Sequence, residues 1–315
     1  MREREKQGDG AIKRRDIRGD VRAVPAKMGR DAKMTWKRPA FLMPDTKRPK
    51  RDCLTILPDA DKIEWRHEWK FEIPVGEARA IRARLRAVAE PDPHVGASGR
   101  YWIRSLYFDN YRDSAMREKL DGLGPREKFR IRYYNHNPAW LRLEKKYKRG
   151  GLGTKFSEEI SPETVRDILR DSVDPIPGNV GGNSFPLLTE LSHKMRVSCL
   201  RPKTIVDYTR EPYLFEAGNV RVTFDYDLRV SRTPEDFLNP DCDTIPADYP
   251  LHLTGNCFGV SNQSLKRDGT FVARPLLLME VKWNRFLPAV IQDAIQTPCL
   301  PAEAFSKYLQ CRAFP

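Results

Sequence analysis

The sequence predicts an α+β fold whose body is an antiparallel eight-stranded β-barrel, closed or nearly closed, with helices packed outside. Three observations predict it. Eight segments alternate polar and apolar residues at the period of a half-buried strand. Only a few segments carry helical spacing, and on strand after strand the polar face bears charges of both signs. The chain has 315 residues and a formal charge of +13, from 56 Lys and Arg against 43 Asp and Glu, with 40% hydrophobic residues. That length suits one large domain or two ordinary ones. The composition excludes wholesale disorder and a fibrous protein.

Residues 1–60 hold 17 Lys and Arg against 9 Asp and Glu, so most of the excess charge lies in the first fifth of the chain. Apolar residues there (Ile17, Trp36, Phe41, Leu42) are scattered among prolines without sustained periodicity, which predicts a basic, disordered tail. Glu3, Glu5 and Asp9 fit neither an acid-poor presequence nor an apolar signal. No run of about 18 apolar residues is present to span a membrane, and a cytoplasmic protein is expected. The six cysteines are far apart with no C-x-x-C, and the five histidines have no metal-binding spacing, so zinc is not expected. Neither G-x-x-x-x-G-K-[ST] nor G-x-G-x-x-G occurs. Any phosphate chemistry must therefore use side chains.

From residue 64 the chain becomes strand-like. Segments 65–73, 100–108, 126–134, 139–148, 153–160, 203–215, 219–228 and 275–283 alternate as strands do. Between them, 75–89 places Ile81, Leu85 and Val88 at helical spacing. A helix from 161 to 172 opens with Ser161 as N-cap and Pro162 at its first position. Short helices are expected near 187–197 and 288–296. Segment 231–274, rich in Asp, Pro, Asn and Gly, reads as a long loop or insertion between the last two strands of a folded domain spanning 61–315.

Side chains alternate along a strand, so Glu68, Lys70 and Glu72 share one face of the first strand and Trp69, Phe71 and Ile73 the other. Arg130 and Arg132 oppose Phe129, Ile131 and Tyr133. Arg142, Glu144, Lys146 and Lys148 oppose Leu141, Leu143 and Tyr147. Arg221, Thr223, Asp225 and Asp227 oppose Val220, Val222, Phe224 and Tyr226, and Glu280 and Lys282 oppose Met279, Val281 and Trp283; Lys155 adds another basic group. For any single strand, a solvated face with cross-strand ion pairs is the ordinary explanation. Eight long antiparallel strands tend to close, however. If helices 75–89 and 161–172 cover the apolar face, the charges point inward. Burying charge on that scale is costly unless it faces a ligand or water, which implies a polyanion held by Arg and Lys, with carboxylates binding a divalent metal. Nucleic acid fits poorly, because Phe129, Ile131 and Tyr133 face away from the arginines instead of interleaving with them.

At these residues the sequence resembles a family. The motifs R-H-E-W-K-F-E-I from 66, S-L-Y-F-D-N at 105–110, K-F-R-I-R-Y-Y at 128–134, L-E-K-K at 143–146 and K-F-S at 155–157 are similar, in order, to the VTC (vacuolar transporter chaperone) domain. I-V-D-Y-T-R at 205–210, V-R-V-T-F-D at 220–225, L-M-E-V-K at 278–282 and F-S-K-Y at 305–308 continue the match, which covers about residues 64–310. This is the polyphosphate-polymerase branch of the triphosphate tunnel metalloenzymes (CYTH-like).

The resemblance implies an eight-stranded tunnel, Mn²⁺ or Mg²⁺ as cofactor, and ATP and inorganic polyphosphate as partners. It implies Lys70, Arg130, Arg132, Lys146 and Lys282 as catalytic residues, and Lys155, Arg210, Arg221 and Lys307 as phosphate-binding residues. Glu280 would be the metal ligand, with Glu144 and Glu68 as further candidates, and Lys307 would close one end of the tunnel. Two departures stand out. Related tunnel triphosphatases open with E-x-E-x-K, whereas here the first position is Arg66. In strand 203–215 strict alternation puts Arg210 with Val206 and Tyr208, away from Asp207, so either a bulge precedes Arg210 or its side chain points outward. The expected activity is transfer of the ATP γ-phosphoryl group to a growing polyphosphate chain. The alternatives are a tripolyphosphatase or nucleoside triphosphatase on the same tunnel, and a non-catalytic polyphosphate-binding module.

Overall fold

The structure is a computed structural model that describes residues 63–171, 186–247, 277–296 and 305–313, with short pieces at 179–180, 183–184, 263–265, 271–273 and residue 302. The tail expected at 1–60, and 248–262, 266–270 and 274 of the expected insertion, lie outside the described residues. Along the chain run β1 (His67–Ile73), α1 (Val75–Val88), β2 (Tyr101–Asp109), α2 (Ser114–Leu120), β3 (Arg126–Tyr134), β4 (Asn137–Arg149) and β5 (Leu152–Ile160). They are followed by α3 (Pro162–Leu169), α4 (Pro186–Val197), β6 (Arg201–Phe215), β7 (Val220–Ser231), β8 (Leu277–Trp283), α5 (Ala289–Ala294) and α6 (Lys307–Ala313). The alternating segments thus form the eight long strands. α2 and α6 are helices that the periodicity did not reveal, because each is only seven residues long.

The long strands pair antiparallel in the order β1-β8-β7-β6-β2-β3-β4-β5. The sheet curls into a half-barrel; of the expected closed or nearly closed barrel, full closure is absent. Among the described residues its edges meet in the backbone at one place, where Arg66 and Gly153 exchange hydrogen bonds of 2.9 and 3.0 Å. Beside that bridge the seam is spanned by side chains: Lys146 and Lys148 of β4 donate to Glu68 of β1 at 2.8 and 2.7 Å.

The convex face is apolar and covered by helices, as its alternation requires. α1 buries Ala78, Ile81 and Leu85 against Phe71, Ile73, Val222, Phe224, Met279 and Val281. Val165 and Ile168 of α3, with Leu187, Leu188, Leu191 and Met195 of α4, pack on Phe129, Ile131, Tyr133, Leu141 and Leu143. Ser161 accepts a hydrogen bond from the Thr164 amide and caps α3. Two ion pairs are buried in this apolar layer: Lys145 with Glu190 of α4 at 2.5 Å, and Arg104 with both carboxylate oxygens of Asp207 at 2.9 and 2.7 Å. The second pair settles the phase of β6. Asp207 belongs to the outer face, so Arg210, Tyr208 and Val206 face inward together, and no bulge is needed before Arg210. The irregularity falls instead on β7, between Tyr226 and Arg229, where Asp227 takes φ +53°. It turns Arg229 outward opposite Asp207 and Val230 inward opposite Val206.

Not every helix lies outside. α6 packs on the concave face, where Tyr308 and Cys311 join Tyr101, Ile103, Tyr107, Val206, Tyr208 and Val230 in a third core. Tyr308 donates to Asp109 at 2.7 Å, and Arg312 binds Asp113 at 3.1 Å. Within the expected insertion, the described part includes a 3-10 helix, Pro234–Leu238, whose Phe237 is fully buried against Tyr133.

Candidate active site

Seven strands aim basic side chains into the lumen, Lys70 of β1 among them. A cavity of about 430 Å³ is lined by Arg130 and Arg132 of β3, Lys146 of β4, Lys155 of β5, Arg210 of β6, Arg221 of β7 and Lys282 of β8, with Glu68 of β1. Register explains the convergence. Arg130 lies opposite Glu144, Lys146 opposite Lys155, Arg221 opposite Lys282, and Lys70 opposite Glu280, so the charged positions of neighbouring strands stand in phase.

Two buried carboxylates organise these cations. Glu144 binds Arg130 at 2.6 Å and Lys155 at 2.8 Å, with Arg132 at 3.9 Å. Glu280 is contacted by Lys282 and Lys307 at 2.8 Å and by Lys70 and Arg210 at 3.3 Å. Burial opposes ionisation of Glu280, but Lys282, Lys307, Lys70 and Arg210 outweigh it and hold the carboxyl well below the usual range. Glu144, through Arg130, Arg132 and Lys155, and Glu68, through Lys146, Lys70 and Lys282, are held down in the same way against burial. Burial pushes the Lys282 ammonium down to about 8.

Several groups that sequence reasoning passed over complete the site. Asp225 forms a bidentate pair with Arg210 at 2.6 and 2.7 Å and lies 2.5 Å from Lys307, so it partners two of the expected phosphate-binding residues. Ser105 and Tyr208 accept from Arg132 at 3.0 and 2.8 Å, and Tyr107 accepts from Arg130 at 3.1 Å. Their inward phase was legible on β2 and β6, but uncharged hydroxyls gave no charge signal.

Lys128 is the other omission. It precedes Arg130 by two positions on the same face, and its Nζ is buried with no hydrogen-bond partner, 4.9 Å from the Tyr308 ring centre. Burial drives its pKa down to about 7, with Asp109 opposing and Arg126, Lys119 and Lys70 reinforcing. A lysine whose folded pKa is depressed costs stability at low pH and is relieved as pH rises toward its unfolded value near 10.4. Lys128→Met is therefore expected to raise the unfolding free energy at pH 7. The gain should shrink between about pH 7 and 10, as followed by urea denaturation across that range.

Glu280, Glu144 and Glu68 are not assembled into one metal cage. Among the described residues no group of three His, Cys, Asp or Glu is arranged to hold an ion. Glu280 and Asp225 do share Lys307 and Arg210 as partners. Two such carboxylates fit a hard divalent cation that completes its shell with phosphate oxygens and water.

The family model of the VTC domain matches residues 65–314. The chain belongs to the VTC domain family. Solved structures similar to this VTC domain include a Bacillus halodurans protein named provisionally as an adenylate cyclase, at 12% identity and TM-score 0.36 over 69% of this chain and 81% of that one. Another is a Vibrio parahaemolyticus protein named in the same way, at 7% identity and TM-score 0.33 over 74% and 83%. A third is a Pyrococcus horikoshii protein at 13% identity and TM-score 0.31 over 73% and 84%. No curated protein matches the chain. Among the described residues of this VTC domain, no helix is long and apolar enough to cross a membrane.

Proposed function

We propose that this VTC domain is a metal-dependent polyphosphate polymerase that moves the γ-phosphoryl group of ATP onto the end of a polyphosphate chain inside the lumen. The observation that carries the reading is the convergence of eight Arg and Lys side chains on one cavity, seven of them from six strands and Arg66 from just before β1. Phosphoryl transfer asks mainly for positioning and for neutralisation of charge on the equatorial oxygens, and such a set supplies both. Arg130 and Arg132, fixed by Tyr107, Ser105 and Tyr208, would clamp the transferred group. Lys70, Lys146 and Lys282 would neutralise the phosphates beside it, and Lys155, Arg210, Arg221 and Lys307 would hold the flanking ones.

In the transfer, a terminal oxygen of the chain attacks the γ-phosphorus in line. The bond from that phosphorus to the β–γ bridging oxygen breaks, and ADP leaves with the electron pair. Mn²⁺ or Mg²⁺, held by Glu280 with Asp225, would supply further charge neutralisation. Polymerisation is the reading taken over hydrolysis because the basic lining offers a terminal phosphate of the chain the same charge neutralisation as the nucleotide phosphates, and an ionised phosphate oxygen attacks without a general base.

Purified protein incubated with ATP and Mn²⁺ should yield long polymers when chain lengths are resolved on a gel. Orthophosphate as the sole product would replace this reading with the hydrolase, and no turnover at all would leave a binding module.

A further inference from the structure

The helices do not cover the outer face of the sheet evenly. On β1, α1 buries Phe71 and Ile73, but Trp69, two positions earlier on the same face, is 42% exposed. On β4, Lys145 is buried in its pair with Glu190 of α4, whereas Tyr147, two positions further on the same face, is half-buried. Between these two covers runs the outer side of the seam that Lys146 and Lys148 span from within.

That outer side is a strip of rings. Trp65 lies 6.1 Å from Tyr147, His67 stacks on Trp283 at 5.1 Å, and Trp69 meets the same Trp283 edge-on at 4.7 Å. From Trp65 to Trp69 the strip runs for four residues of extended chain, roughly 13 Å. Single exposed aromatics are ordinary on a protein surface, but a run of them along one strip marks a surface that an apolar partner covers.

The chain carries such a partner next to the strip. The described residues begin at Ile63, two positions before Trp65, and Glu64 is pinned there by the side-chain amides of Asn219 and Asn284. Upstream, residues 53–58 read Cys-Leu-Thr-Ile-Leu-Pro and carry no charge, while Lys50, Arg51 and Asp52 precede them and Asp59, Asp61 and Lys62 follow. Leu57 is eight residues from Trp65, a contour of at most about 27 Å, or roughly twice the length of the strip. The segment can therefore double back over the rings, and Pro58 and Asp59 supply turn-forming residues where the return would start. A tether this short holds the segment at an effective concentration of order millimolar, which a partner in solution would have to exceed.

We infer that residues 53–58 dock on this aromatic strip, with Leu54, Ile56 and Leu57 packed on Trp65, Tyr147, Trp69 and Trp283, and so close the outside of the seam. The occupant is the protein's own chain.

Hydrogen–deuterium exchange of the full chain, read by mass spectrometry on peptides covering 53–62, tests this. In the unaltered protein these amides should exchange at least about 10-fold more slowly than a chain without structure. Trp69→Ser removes the ring that α1 leaves exposed, and Ile56→Asp places a charge in the segment. Each should speed exchange across 53–62 by about 5-fold or more, while peptides from α1 keep the parent's rate and report an intact sheet. Should Trp69→Ser loosen α1 as well, Ile56→Asp, which lies outside the sheet, decides the matter. Exchange at the free-chain rate in the unaltered protein, or a rate that Ile56→Asp leaves unchanged, would overturn the inference. Protection that fades as the protein is diluted would hand the strip to a second copy and overturn it too.

Discussion

Arg132→Ala should lower turnover about 1000-fold, the scale on which a positioned guanidinium stabilises transferring phosphate. The side chain is 4% exposed and donates to the Ser105 and Tyr208 hydroxyls, which fix the plane of its fork. Its loss should leave the fold standing, because Glu144 keeps Arg130 at 2.6 Å and Lys155 at 2.8 Å. Arg132→Lys should recover little, since a single ammonium cannot hold both hydroxyls and grip phosphate in a fork. Steady-state rates with ATP and Mn²⁺, alongside thermal unfolding of each variant, check the expectation; near-normal turnover in the alanine variant would remove Arg132 from the machinery.

Glu280→Gln should cost about 3–5 kcal/mol of unfolding free energy near neutral pH, the usual penalty for stripping one partner from buried charges. Four cations contact this carboxylate, and the amide leaves Asp225 as the nearby acid for Lys307 and Arg210. Because the folded-state pKa is depressed, the stabilisation is present above the unfolded value of about 4.3 and fades as pH falls below it. Urea titrations should thus show the two proteins converging under acid conditions. Added tripolyphosphate should restore more stability to the variant than to the parent, because it replaces the missing negative charge. An equal shift in both proteins would mean that phosphate does not take the place of the Glu280 carboxylate, and no shift in either would mean that the lumenal cations do not meet phosphate.

Much of this was legible in the residues. Strand phase alone placed Arg130, Arg132, Lys146 and Lys282 on inward faces, because alternation is a geometric consequence of the extended backbone. The phase of Arg210 could not be judged from Asp207, since a buried outer pair with Arg104 looks the same in sequence as a lumenal carboxylate. Asp225 was visible as an inward acid, but its bidentate grip on Arg210 depends on the β6–β7 register. The inward docking of α6 was hidden because it is set by Tyr308 and Arg312 meeting Asp109 and Asp113, contacts about 200 residues apart in the chain. The degree of closure was left open between closed and nearly closed, because strand number favours a barrel but curvature and shear decide whether the last edge meets the first.

The seam between β1 and β5 has a mechanical consequence. Hydrogen-bonded strands keep a fixed spacing of about 4.8 Å, so a fully closed barrel has a fixed girth. Among the described residues one backbone bridge spans this seam, and beside it Lys146 and Lys148 clasp Glu68. The girth along this seam is therefore set by the reach of Lys146 and Lys148 to Glu68 and not by a ladder of backbone hydrogen bonds.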